Sequence, residues 1–67
     1  MANDKIIDVW NEIRVILESI DTDINKNAAG NASAGVRSRR VLRLLRKRAN
    51  DLVKLTLSVE KAREDAE

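Results

Sequence analysis

The chain contains no proline, and its only two glycines, Gly30 and Gly35, fall near the middle. Proline and glycine interrupt helices more strongly than any other residue, so nothing on either side of that midpoint stops a long helix from forming. The apolar residues carry the matching period. Ile6, Val9, Trp10, Ile13, Ile16, Leu17, Ile20 and Ile24 recur at spacings of three and four, which gathers them on one stripe of a helix. We expect a first helix from about Asn3 to Ala28, with Asn3 as N-cap and Asp4 favourable to the dipole. A turn near residues 29–32 follows, then a second helix that begins at Asn31 or Ser33 and runs to about Arg63, with Leu42, Leu45, Ala49, Leu52, Thr56 and Val59 as its seam. The expected fold class is all-α: one two-helix antiparallel hairpin domain over residues 1–67.

The second helix carries more apolar surface than one partner helix can cover. Val41, Leu44, Val53, Leu55, Leu57 and Ala62 widen its apolar arc to well over half of the circumference when residues are placed about 100° apart. A hairpin of this size, without cysteine and with Trp10 as its only aromatic residue, buries too little apolar surface to offset chain entropy by itself. Dimerisation into a four-helix bundle would cover the outlying Leu and Val positions, so a homo-oligomer is expected. Trp10 is expected in the core or the interface and not as a platform for stacking bases.

Catalysis is a poor fit to this inventory. The chain has no His, Cys, Tyr or Phe, which removes the usual nucleophiles, metal ligands and general bases, and we expect no enzyme, cofactor or metal. Asp21-Thr22-Asp23-Ile24-Asn25 imitates the opening of a calcium loop, but Lys26 stands where such a loop needs glycine and Ala32 where it needs a bidentate Glu. The segment from Met1 to Asp8 lacks the basic region of a secretory leader, and Asp or Glu interrupts every apolar run before it could span a bilayer. These features predict a soluble, cytoplasmic protein with no membrane partner; the absence of cysteine is compatible with that setting.

Charge is divided unevenly along the chain. Residues 1–29 hold three Lys or Arg and six Asp or Glu, whereas residues 30–67 hold ten and five. Between Val36 and Arg48 lie Arg37, Arg39, Arg40, Arg43, Arg46, Lys47 and Arg48 without an acidic residue, directly after the small stretch Gly30-Asn31-Ala32-Ser33-Ala34-Gly35. Glycines permit close backbone approach, a helix starting here would aim N–H groups outward, and arginine forks suit phosphate. On a helical wheel Arg39, Arg40, Arg43, Arg46, Lys47, Lys54 and Lys61 fall opposite the apolar seam as one stripe. Arg37 and Arg48 fall beside the apolar arc, where snorkelling or carboxylate pairing is expected. The competing explanation is a solvated charged face neutralised by Asp8, Glu12, Glu18, Asp21 and Asp23 of the first helix.

The run Gly30-Asn31-Ala32-Ser33-Ala34-Gly35-Val36-Arg37-Ser38-Arg39 resembles the G-N-x-x-A-G-x-R-x-R signature of the bacterial linker-histone-like family. An acidic amphipathic first helix, the Gly-Asn turn and a helix of mixed Arg, Leu and Lys resemble that family's N-terminal domain over almost the whole chain. The resemblance implies a nucleoid-associated protein that binds DNA with little sequence preference and helps to compact it. Gly35, Arg37, Arg39 and Arg40 occupy matching positions of the motif, and the helical wheel adds Arg43, Arg46 and Lys47 as candidate DNA-binding residues. The family's long Lys- and Ala-rich tail has no counterpart, since the chain ends in Glu60-Lys61-Ala62-Arg63-Glu64-Asp65-Ala66-Glu67. That departure leaves the hairpin's own stripe to do the binding and raises the standing of an assembly module.

Two functions are therefore expected to compete. One is non-specific DNA binding by a dimeric hairpin whose arginines contact phosphates, because a stripe without Asn or Gln at groove-reading positions carries little base code. The other is a structural interaction module without DNA binding, whose basic helix docks an acidic protein or a second copy of its own acidic helix. A helix lying on anionic lipid is the weaker third option, since the heptad-like seam favours helix partners.

Overall fold

Helix α1 spans Asp4–Ala28 and helix α2 spans Ala32–Ala66. The computed structural model describes the backbone of residues 4–66 and the side chains of residues 4–62, so the expected cap at Asn3 lies outside the described residues. Among the described residues there is no strand, and the two helices pack closely along the length of α1. The result is a rod about 55 Å long and 16 by 12 Å across. The second helix starts at Ala32, between the two expected starting points, and continues past Arg63.

The turn is built by four residues that each satisfy a backbone group. Gly30 has φ +102°, a conformation open to glycine because it has no Cβ. Its N–H donates to the Asn27 carbonyl at 2.9 Å, and the Asn31 N–H donates to the Lys26 carbonyl at 3.0 Å; together these bonds form a Schellman end to α1. Asn31 then serves the next helix as N-cap: its Oδ1 accepts from the Ala34 N–H at 2.9 Å, and its carbonyl accepts from the Gly35 N–H at 3.2 Å and from Asn27 Nδ2 at 3.2 Å. One residue thus closes α1 and opens α2. Asn31→Ala is expected to lower stability by about 1 kcal/mol through loss of the cap, read as a lower urea midpoint with unchanged m.

The core is narrower than the sequence suggested, and its phase differs. Ile6, Val9, Ile13, Ile16, Ile20 and Asp23 of α1 form the side least accessible to solvent, and on α2 the corresponding row is Ala34, Ser38, Val41, Leu45, Arg48, Leu52, Leu55 and Val59. Both rows alternate steps of three and four, the heptad pattern of an antiparallel coiled-coil pair. Leu45, Leu52 and Val59 sit in the expected seam. Leu42, Ala49 and Thr56 do not: they are exposed, and their neighbours Val41, Arg48 and Leu55 take those places. The sequence misleads here because Arg48 is polar and Ala49 apolar, so a reading by hydrophobicity chooses Ala49. Trp10, Leu17 and Ile24 likewise leave the expected α1 stripe and stand 47%, 48% and 41% exposed. Within one hairpin Trp10 is not a core residue.

Near the turn the seam is lined by small residues. Ala34 is fully buried and Ser38 is 3% exposed. A Cβ placed on Gly35 would overlap the Asn27 side-chain amide and come within 3.2 Å of Arg39 Nη1, so the missing side chain makes room for the Asn27 cap. Ser38 Oγ is buried without a hydrogen-bond partner. A buried hydroxyl left unpaired costs about 1–3 kcal/mol, and alanine is the better helix former. Ser38→Ala is therefore expected to raise the thermal midpoint at fixed protein concentration, where most seam substitutions would lower it.

Candidate nucleic-acid interface

The heptad seam divides the rest of the hairpin surface into three zones. On one broad side, ion pairs tie the helices together. Arg37 donates through Nε and Nη2 to Asp23 Oδ1, at 3.1 Å and 3.0 Å. Arg48 donates to Glu12 Oε2 through Nε at 2.8 Å and also through Nη2, and its Nη1 reaches Asp51 Oδ2 at 3.2 Å. Each arginine is held above its usual pKa, in both cases first by the side-chain hydrogen bond to its acidic partner across the seam. Because a raised arginine pKa affects stability only in strongly alkaline solution, these pairs stay intact on the arginine side throughout the neutral range. The expectation that Arg37 and Arg48 meet carboxylates is met at both positions.

On the opposite broad side the helices present apolar surface. Trp10, Leu17 and Ile24 recur at intervals of seven on α1, beside Leu42 and Val53 of α2, all of them substantially exposed. Helical geometry places the two rows together, because in an antiparallel pair the same rotational flank of each helix faces the same way.

The third zone is the back of α2. Arg39, Arg40, Arg43, Arg46, Lys47, Lys54 and Lys61 are all exposed, and the wheel directs them away from α1. From Arg39 to Lys61 the stripe runs about 33 Å at 1.5 Å per residue. Among the described residues the ion pairs engage only Arg37 and Arg48, so no carboxylate of α1 forms an ion pair with the stripe. A shallow depression lies between Arg39, Leu42, Arg43 and Arg46, where three guanidinium groups flank one apolar side chain. It marks the border between the stripe and the apolar side.

The seven candidate DNA-binding residues therefore fall into two groups. Arg39, Arg40, Arg43, Arg46 and Lys47 share the open stripe. Gly35 is buried beneath Asn27, and Arg37 is committed to Asp23. The start of α2 is also less open to an anion than expected, since Asn31 already occupies the Ala34 N–H. The sequence reading missed that the ion pairs lie on one flank of the seam and the Trp10, Leu17 and Ile24 row on the other, while Val15 and Leu44 stay exposed beside Glu12 on the ion-paired flank. Its signal was present in the seven-residue recurrence of Trp10, Leu17 and Ile24, which sits beside the seam and not in it.

No family model matches this chain, and neither the curated proteins nor the solved structures supply a match. Among the described residues no helix is long and apolar enough to cross a membrane.

Proposed function

We propose that this protein binds double-stranded DNA through its phosphates, with little sequence preference, as a nucleoid-associated, histone-like dimer that helps to condense DNA in the cytoplasm. The observation that carries this reading is the open stripe of seven cations on the back of α2, outside every ion pair among the described residues. Surface ion pairs contribute little to stability, so folding does not call for such a concentration of like charge, whereas a polyanion does. The stripe is about as long as one turn of duplex, and forked guanidinium groups match phosphate oxygens. Arg39, Arg40, Arg43, Arg46 and Lys47 make the central contacts, and Lys54 and Lys61 extend them. Gly35 and Arg37 support the binding helix from the turn and from the ion-paired side. The role is binding without catalysis.

The likeness of Gly30 to Arg39 to the bacterial linker-histone-like signature supports the same reading. The self-association proposed with it would add avidity, because a dimer carries two stripes. The test is a titration of AT-rich and GC-rich duplexes at several salt concentrations, together with sedimentation of the free protein. The expected result is similar affinity for both duplexes and a steep fall with salt. Sedimentation as an oligomer with no DNA binding even at about 50 mM salt would replace this reading with the structural interaction module, which the exposed Trp10, Leu17 and Ile24 row favours.

A further inference from the structure

The apolar side of the hairpin has a size pattern that selects its own partner. Glu12 is level with Arg48 and Asp23 with Arg37 across the seam, and that register brings Trp10 within one residue of Ala49, Leu17 of Leu42 and Ile24 of Gly35. The α1 row is uniformly large. On α2 Leu42 is large, Gly35 lies beneath the Asn27 amide, and the small exposed positions are Ala49 and, at the next interval of seven, Thr56. A surface that covers this side must offer a small residue opposite Trp10 and a larger one opposite Ala49. The side itself meets that requirement when it is turned about a two-fold axis parallel to the helices.

We propose that a second copy docks on this side about such an axis, with α1 of each copy lying on α2 of the other. A rotation of that kind keeps residues at their own level, so Trp10 rests on the partner's Ala49 and Leu17 meets the partner's Leu42. The alternative axis, perpendicular to the helices, stacks α1 on α1 and α2 on α2. It sets Trp10 against the partner's Ile24 along one edge and leaves the small Ala49 facing the region of the partner's Gly35 along the other, crowding the first and covering the second thinly. Charges at the rim divide evenly between the two arrangements: the first brings Asp21 to Arg39 and Arg14 to Arg46, the second Arg14 to Asp21 and Arg39 to Arg46. The net charges of the helices do discriminate, since an acidic α1 is attracted to a basic α2 and two basic α2 helices repel. This inference rests on the self-association proposed above, and adds the side, the pairing and the placement of the two cationic stripes on opposite outer edges of the bundle.

The absence of native cysteine makes single-cysteine crosslinking clean. Asp21→Cys and Arg39→Cys chains, refolded together and oxidised, are expected to give a mixed disulfide several-fold in excess of either like-with-like product. Ready crosslinking of Leu17→Cys to itself would instead place α1 on α1 and overturn the pairing. Unmodified protein supplies a second measurement: Trp10 emission is expected to shift to shorter wavelength over the concentration range in which sedimentation reports association. Association without that shift would move the interface to another side. A monomer at all concentrations, with emission of a solvent-exposed Trp10, would remove both this dimer and the self-association behind it, while duplex binding remains separately measurable on the same sample.

Discussion

Replacing Arg39, Arg40 and Arg43 together with Gln is expected to weaken binding to an arbitrary duplex roughly a thousandfold at about 50 mM salt. The magnitude follows from counterion release. Each phosphate contact contributes about −0.9 to the slope of log K against log salt, so three lost contacts flatten the slope by about 3 and remove, relative to about 1 M salt, some three to four decades at 50 mM. The three side chains are exposed and stand outside the seam, and Gln retains most of the helix propensity of Arg. Helical circular dichroism should therefore not change. Arg37→Gln and Arg48→Gln supply the contrast: these arginines hold Asp23 and Glu12, so their loss should affect stability more than the salt slope. An unchanged slope in the triple variant would assign the stripe to solvent or to a protein partner.

The second large effect is on folding. Ile13 is 6% exposed and sits in the seam beside the Glu12 and Arg48 pair. Truncating a buried Ile to Ala costs about 2–5 kcal/mol, a large share of the stability of a hairpin this small. Ile13→Ala is expected to lose most of its helical signal at room temperature and to self-associate more weakly. Val15→Ala, two residues away and 63% exposed, should lie within about 0.5 kcal/mol of the parent. Equal effects at the two positions in urea titrations would contradict the seam.

Element boundaries were legible because the chain has few ways to end a helix. Without proline, the Gly30-Asn31 pair is the one strong stop signal, and the structure puts the turn there. Helix phase was less legible. A heptad row and the flank beside it have the same spacing, so Trp10, Leu17 and Ile24 look like seam residues until the partner helix is in place. Arg48 entered the seam against its polarity because Glu12 and Asp51 are within reach, and no single helix reveals such a cross-helix pair. For the candidate site, a helical wheel suffices to group Arg39, Arg40, Arg43, Arg46 and Lys47. It says nothing of why Gly35 is glycine. The structure assigns the Gly-Asn-x-x-Ala-Gly half of the motif to turn closure, capping and close packing, leaving only the arginines after it to carry ligand chemistry.

The sharing of Asn31 between two helix ends sets the tolerance of the chain to changes in length. Surface connections usually absorb extra residues at small entropic expense, but this one has no slack. One residue inserted between Gly30 and Asn31 would turn α2 by about 100° against α1 if the helix kept its cap. Ser38, Val41 and Leu45 would swing out of the seam, and the three surface zones would exchange places with them. Length variation in proteins built on this plan should therefore concentrate away from the turn, and the spacing from Gly30 to the first arginines should behave as a fixed ruler that sets which side carries the apolar row and which the cationic stripe.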